Sequence, residues 1–67
     1  MLDAVVVKVF EDRGYGFVYV PSLGQDAFFH VSILPEQERG SVDVGKKFRA
    51  EINADPKGRG LQVRRVA

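Results

Sequence analysis

The chain has 67 residues, which is enough for one small domain that buries only about 60% of the surface of its unfolded chain. It contains no cysteine and one histidine, which excludes disulfides and thiolate metal sites and argues against zinc. Ten basic and nine acidic residues give a net charge of +1, so the chain is not a polybasic tail. No apolar run in the sequence approaches the roughly 20 residues that are needed to cross a bilayer.

Two strands are predicted in the first twenty residues. Residues 4–10 are apolar and mostly β-branched, which is typical of a strand. Residues 11–14 fit a tight turn, and residues 15–20 form the second strand. Alternation along that strand places Val18 and Val20 on the core face.

The second strand begins in a motif of alternating glycines and aromatics, Arg-Gly-Tyr-Gly-Phe-Val, at residues 13–18. It matches the first six positions of the ribonucleoprotein octapeptide, whereas the eighth is Val20 and not an aromatic. Tyr15 and Phe17 share one face of the strand. Since glycine in a strand often marks a close approach by another molecule, we interpret the glycines as leaving Tyr15 open to stacking bases. The alternative is a glycine-rich strand start with ordinary core aromatics.

A third strand is predicted at residues 25–31, after the turn-forming residues 21–24. Phe28 and His30 share one of its faces. The other face holds Ala27, Phe29 and Val31. Pairing with the second strand would place Phe28 and His30 beside Tyr15 and Phe17 on an exposed surface, on which each stacked base gains about 1–3 kcal/mol. For His30 a partly buried, hydrogen-bonded role is the alternative.

The remaining elements are short. Residues 32–35 fit a single helical turn, because proline ends strand pairing there. Residues 36–45 are predicted to be a loop anchored by Val42 and Val44. A fourth strand at residues 47–53 points Phe48, Ala50 and Ile52 inward. After a turn at 55–60, which includes Lys57 and Arg59, a fifth strand at 61–66 points Leu61 and Val63 inward.

Five short strands with almost no helix predict an all-β fold, a five-stranded antiparallel OB-fold barrel formed by residues 1–67 as one domain. The OB-fold binds ligands on a face that includes its second and third strands, where the aromatics fall here. The RNA-recognition-motif fold shares the octapeptide but needs two packed helices, and no amphipathic stretch of ten or more residues is present.

The two aromatic motifs, residues 13–18 and 26–32, resemble those of bacterial cold-shock proteins and cold-shock domains. The resemblance covers nearly the whole chain, from residue 7 to residue 63. It implies binding of single-stranded RNA or DNA, RNA-chaperone activity and an influence on transcription or translation, with no enzymatic activity and no cofactor. By the resemblance, bases and backbone are contacted at Lys8, Phe10, Tyr15, Phe17, Phe28 and His30. Lys57 occupies a position that is usually basic, and we expect Arg13 to add a contact to phosphate.

The chain departs from the family at Val9, where tryptophan is usual, and at Val31, where phenylalanine is usual. The usual loop aromatic is also missing, and the nearby Arg39 is the candidate to stack in its place through its guanidinium plane. The turn at residues 11–13 is one residue shorter. Losing two stacking positions would weaken binding by about 2–6 kcal/mol if nothing compensates, so we expect a weaker binder than a typical family member, or one that needs a second domain for avidity.

A protein-interaction module is the main alternative, since Val9 and Val31 make the surface more apolar. Catalysis is not expected, because Asp26 and His30 lie about 13 Å apart along a strand and no nucleophile joins them. Without a signal peptide or membrane segment we expect a cytoplasmic protein with no membrane partner, a monomer in preference to an oligomer. The sequence is equally consistent with one module of a longer protein.

Overall fold

The computed structural model describes residues 1–58 and 60–67, and Arg59 of the predicted basic turn lies outside them. The strands are β1 (Leu2–Phe10), β2 (Tyr15–Val20), β3 (Gln25–His30), β4 (Lys47–Ala54) and β5 (Leu61–Val66). All five predicted strands are therefore confirmed, with ends that differ by at most two residues. The predicted helical turn is a 3-10 helix at Val31–Ile33.

A second 3-10 helix, Glu36–Ser41, lies in the segment that was predicted to be a loop. It follows Pro35, and the amide of Glu38 donates to the carbonyl of that proline over 2.8 Å. Proline is favourable at such a start because it has no amide hydrogen to satisfy and a fixed φ. The polar sequence concealed the helix, since all of its residues stay on the surface and show no apolar periodicity.

The strands close into a barrel in the order β1-β2-β3-β5-β4, with β4 pairing back to β1. Four of the five strand pairs are antiparallel. The pair that joins β3 to β5 is parallel, which the prediction of an antiparallel barrel did not include. Closure gives each of these five strands a partner on both sides, which matters for a domain too small to cover its edges with other elements.

The barrel interior is filled by small aliphatic side chains around one large ring. Phe29 is fully buried, as are Val18 and Val20, which confirms the core face predicted for β2. The other buried side chains are Ala4, Val6, Ala27, Leu34, Val42, Ala50 and Val63. Phe48, Ile52 and Leu61, predicted to point inward, are partly buried and pack against this core.

The two predicted loop anchors behave differently. Val42 is buried as predicted, but Val44 is 67% exposed and the prediction for it was wrong. Residues 43–46 form a turn in which the amide of Lys46 donates to the carbonyl of Asp43 over 3.0 Å. Val44 lies at the corner of this turn and projects into solvent. Among the described residues there is no helix with the length and apolar character needed to span a bilayer.

Candidate nucleic-acid interface

A bulge in β1 sets the direction of the first functional side chains. Val6 pairs with Val18 of β2 and Lys8 pairs with Phe17, so Val7 is an extra residue in the ladder. Such a bulge reverses the alternation of the strand beyond it. Without it Lys8 and Phe10 would point inward like Val6; with it they point to the outside of the barrel, and Val9 packs against the core.

Gly16 allows β2 to lie close to this bulge. A Cβ on Gly16 would overlap the carbonyl oxygen of Lys8 and lie 2.9 Å from Cε1 of Phe29. Gly16 is buried and faces the interior, so its role is internal packing. The interpretation that it opens Tyr15 to a ligand was wrong. Gly14 is required for a different reason, because its φ of +74° lies in the left-handed region that side chains disfavour.

The register across β1, β2 and β3 brings the predicted residues into two adjacent rows. Phe10 pairs with Tyr15, which pairs with His30 on its other side. In the next row Lys8 pairs with Phe17, which pairs with Phe28. Directly opposed residues on neighbouring strands have their side chains within contact distance.

Four of these side chains form one contiguous cluster, here called the ring face: Phe10, Tyr15, Phe17 and Phe28. The Tyr15 ring lies 5.0 Å from that of Phe10 and 5.4 Å from that of Phe28, in tilted orientations. Phe17 meets Phe28 edge-on at 6.0 Å. These spacings fall in the favourable range for aromatic pairs, so the rings hold one another in place.

The ring face is open to solvent. Phe28 is 37% exposed and the other three rings are half-buried. The alternative in which Tyr15 and Phe17 are ordinary core aromatics is therefore wrong, since the core ring is Phe29 on the opposite side of β3. An exposed apolar patch of this kind on a small domain indicates a binding surface.

His30 is exposed at the edge of the ring face and caps the 3-10 helix that follows β3. Its Nδ1 accepts from the amide of Ser32 over 3.1 Å and lies 2.9 Å from the hydroxyl of Ser32. An Nδ1 that accepts from an amide leaves the ring proton on Nε2 in the neutral form. His30 thus offers an N–H donor to a ligand. The histidine is hydrogen-bonded, as the alternative held, but it is not buried.

Of the predicted cations, Lys8 lies against the rings, and Arg13 and Lys57 lie in turns next to the strands. The Nζ of Lys8 lies 5.1 Å from the centroid of the Phe10 ring, a cation–π distance. Arg13 is exposed in the β1–β2 turn and Lys57 in the β4–β5 turn. The ion pairs of the described residues involve other cations, Lys46, Arg49 and Arg65. The three cations are therefore available to an anionic ligand.

A groove runs along the ring face beside the β4–β5 turn. Its volume is about 410 Å³, and it is lined by Tyr15, Phe17 and Phe28 together with Asp55 and Leu61. In OB-folds this turn borders the ligand face. Lys57 is held in the same turn by its amide, which donates to the carboxylate of Asp55 over 2.9 Å.

Sequence similarity relates this chain to a known protein. No protein-family profile matches the chain. The cold shock-like protein CspA of Shewanella violacea is 33% identical over 48 residues, which cover 72% of this chain and 69% of that protein. The chain belongs to the cold-shock protein family. Its closed five-stranded barrel is the OB-fold of a cold-shock domain.

The residues at which the resemblance led us to expect aromatics lie together on one pocket of this cold-shock domain. Val9 and Val31 line this pocket, and Arg39 lies on it as well. The Nε of Arg39 donates to the carbonyl of Leu34 and its Nη2 to the carbonyl of Ser32, each over 3.1 Å. The structure thus places Arg39 on the same pocket as Val9 and Val31, where aromatics were expected, and outside the ring face.

One exposed aromatic was not predicted as part of the site. Tyr19 is 38% exposed and follows Phe17 on the outer face of β2, paired with Asp26 of β3. The signal was present in the sequence, since Tyr19 continues the alternation of Tyr15 and Phe17. Among the described residues no three His, Cys, Asp or Glu side chains are grouped to hold a metal ion.

Proposed function

We propose that this cold-shock domain binds single-stranded RNA or DNA across β1, β2 and β3, with bases on the ring face and phosphates toward the surrounding cations. The observation that supports this most directly is the contiguous exposed cluster of four rings. Stacking on rings tolerates any base, because every base has a π-face. Membership of the cold-shock family supports the same role.

The same geometry gives the domain a means to act as an RNA chaperone. A paired and stacked duplex cannot offer its base faces to the rings, whereas an open strand can. Binding therefore shifts the equilibrium toward the open form. The size of this shift is set by how much more tightly the domain binds the open strand than the duplex. This shift in the melting equilibrium needs no nucleotide hydrolysis, and it would influence transcription or translation wherever a hairpin controls them.

The proposal is tested by titrating labelled single strands of about eight nucleotides, within the site sizes of OB-folds. Fluorescence anisotropy would compare oligothymidylate, oligouridylate, a mixed sequence and a duplex of the same length. We expect the single strands to bind and the duplex to bind far more weakly. Equal affinity for the duplex would contradict the proposal, and no oligonucleotide binding would favour a protein-interaction module.

Salt provides an independent prediction. If about 2–4 phosphates are neutralised by the cations around the ring face, the logarithm of the affinity should fall with the logarithm of salt concentration at a slope of roughly −1.4 to −2.8. Titration of oligothymidylate at several salt concentrations measures this slope. The Lys57→Gln variant should have a shallower slope than the wild type, while Lys47→Gln, at the start of β4, serves as the charge-matched control. A flat response in the wild type would count against phosphate contacts.

A further inference from the structure

The pocket at the end of the barrel has a composition suited to a single base and not to a stack. Here called the end pocket, it has a volume of about 260 Å³ and is lined by Val9, Glu11, Gly14, Val31, Arg39, Gly40 and Val42. Because a water molecule in the liquid occupies about 30 Å³, the end pocket has room for several water molecules and hence for one planar ring system. Its apolar residues are aliphatic and offer no ring on which a base could stack.

The end pocket continues directly from the ring face. Tyr15 and His30 form the last pair of the β2–β3 ladder, and just beyond them the amide of Val31 donates to the carbonyl of Gly14 over 2.9 Å. Gly14 and Val31 are both lining residues of the end pocket. A strand whose bases stack on Tyr15 and Phe10 can therefore turn its next base into this pocket.

Two of the residues that line the end pocket have side chains that form strong hydrogen bonds, Arg39 as a donor and Glu11 as an acceptor. The guanidinium of Arg39 is fixed by its two bonds to carbonyl oxygens, which use two of its five N–H groups and leave three to donate. Glu11 is exposed, and none of the ion pairs in the described part of the chain involves it. A carboxylate accepts two parallel hydrogen bonds, and a guanidinium donates two.

We propose that the end pocket binds one guanine of the nucleic acid and gives this domain a base preference that the ring face lacks. Guanine presents two adjacent donors, N1–H and N2–H, that match a carboxylate, and two adjacent acceptors, O6 and N7, that match a guanidinium. Each of the other bases satisfies only part of this arrangement. Splayed-out bases of single strands are commonly bound by such edge contacts. The inference rests on the proposed function.

The test compares an oligothymidylate with copies in which one central thymine is replaced by guanine, adenine, cytosine or hypoxanthine. We expect the guanine copy to bind about tenfold more tightly than the parent, since a good bidentate contact is worth about 1–3 kcal/mol. Adenine and cytosine should gain less. Hypoxanthine, which lacks the N2 amino group, should lose part of the gain. Equal affinity for all copies would overturn the inference.

Two acidic residues of the same exposed turn provide a matched pair of variants. Glu11→Gln removes a carboxylate of the end pocket and should reduce the guanine preference to about twofold or less. Asp12→Asn removes the same charge outside the pocket and should keep the preference. Preference that survives Glu11→Gln, or that Asp12→Asn abolishes equally, would overturn the inference.

A third variant, Val31→Phe, fills the end pocket and should abolish the guanine preference while oligothymidylate still binds. Retention of the preference in this folded variant would overturn the inference. The two proposals fail differently. If no oligonucleotide binds, the proposed function fails and the inference with it. If oligothymidylate binds and guanine adds nothing, only the inference fails.

Discussion

Removing two rings from the ring face should weaken oligothymidylate binding at least about a hundredfold, or roughly 2.7 kcal/mol. We expect this result for the double variant Phe17→Ala, Phe28→Ala, and about tenfold for each single variant. Phe17 and Phe28 are direct cross-strand partners whose rings lie 6.0 Å apart. Because they touch, the two single effects need not add. Anisotropy titration measures all three affinities.

The control for these variants is Leu23→Ala. Leu23 is 43% exposed, similar to Phe28, but it lies in the β2–β3 turn away from the ring face. It should leave the affinity unchanged. Urea unfolding should show that the phenylalanine variants remain folded, since both side chains lie outside the barrel. Wild-type affinity in a folded double variant would show that bases bind elsewhere on the domain.

Gly16→Ala should destabilise the barrel by about 3 kcal/mol or more, which for a domain of this size is a large part of its total stability. The added Cβ would overlap the carbonyl oxygen of Lys8 and crowd the ring of Phe29. Neither neighbour can move easily, because one is backbone at the β1 bulge and the other is the fully buried core ring. Urea unfolding followed by circular dichroism measures the change in the free energy of unfolding.

Gly40→Ala is the matched control for this second prediction. A Cβ on Gly40 has no atom within 4 Å, and Gly40 does not have a positive φ. Its replacement should change the free energy of unfolding by less than about 0.5 kcal/mol, as is usual for surface substitutions. If Gly16→Ala proved as mild as Gly40→Ala, the close packing of β2 on β1 would be refuted.

Alternation in β2 and β3 was enough to predict most of the candidate site. Tyr15, Phe17 and Phe28 lie on one surface because the period of a strand is two residues and a short turn fixes the pairing. The same rule predicted the core position of Val18 and placed Phe29 on the face opposite Phe28, where it is fully buried. Where a local rule decides the outcome, the sequence alone was sufficient.

The β1 bulge could not be predicted from alternation. Residues 4–10 are almost uniformly apolar, so the pattern does not reveal which of Val5, Val6 or Val7 is the extra residue. The bulge is specified by contacts between strands, including the tight fit of Gly16 against the backbone of Lys8. Lys8 and Phe10 were accordingly assigned by family resemblance and not by residue pattern.

Contacts between distant parts of the chain account for the other differences between the predictions and the structure. The parallel pairing of β3 with β5 joins residues more than thirty positions apart, which no local signal encodes. Arg39 was predicted to stack through its guanidinium, and the position of that group depends on carbonyls of residues 32 and 34 that only the folded chain brings near. The predicted contacts of Arg13, Arg39 and Lys57 with nucleic acid remain predictions.

The parallel pairing of β3 with β5 also ties ligand occupancy to the integrity of the barrel. Within the described residues it joins Ala27 to Leu61 and Phe28 to Gln62, whereas β2 and β3 share six pairs. This short pairing is here called the seam. Transient opening of the barrel costs the least free energy at the seam, because few residue pairs must separate there. Phe28 is both a seam residue and a member of the ring face. A ligand that holds Phe28 in place therefore also holds the seam shut, and its binding free energy adds to the resistance of the domain to unfolding.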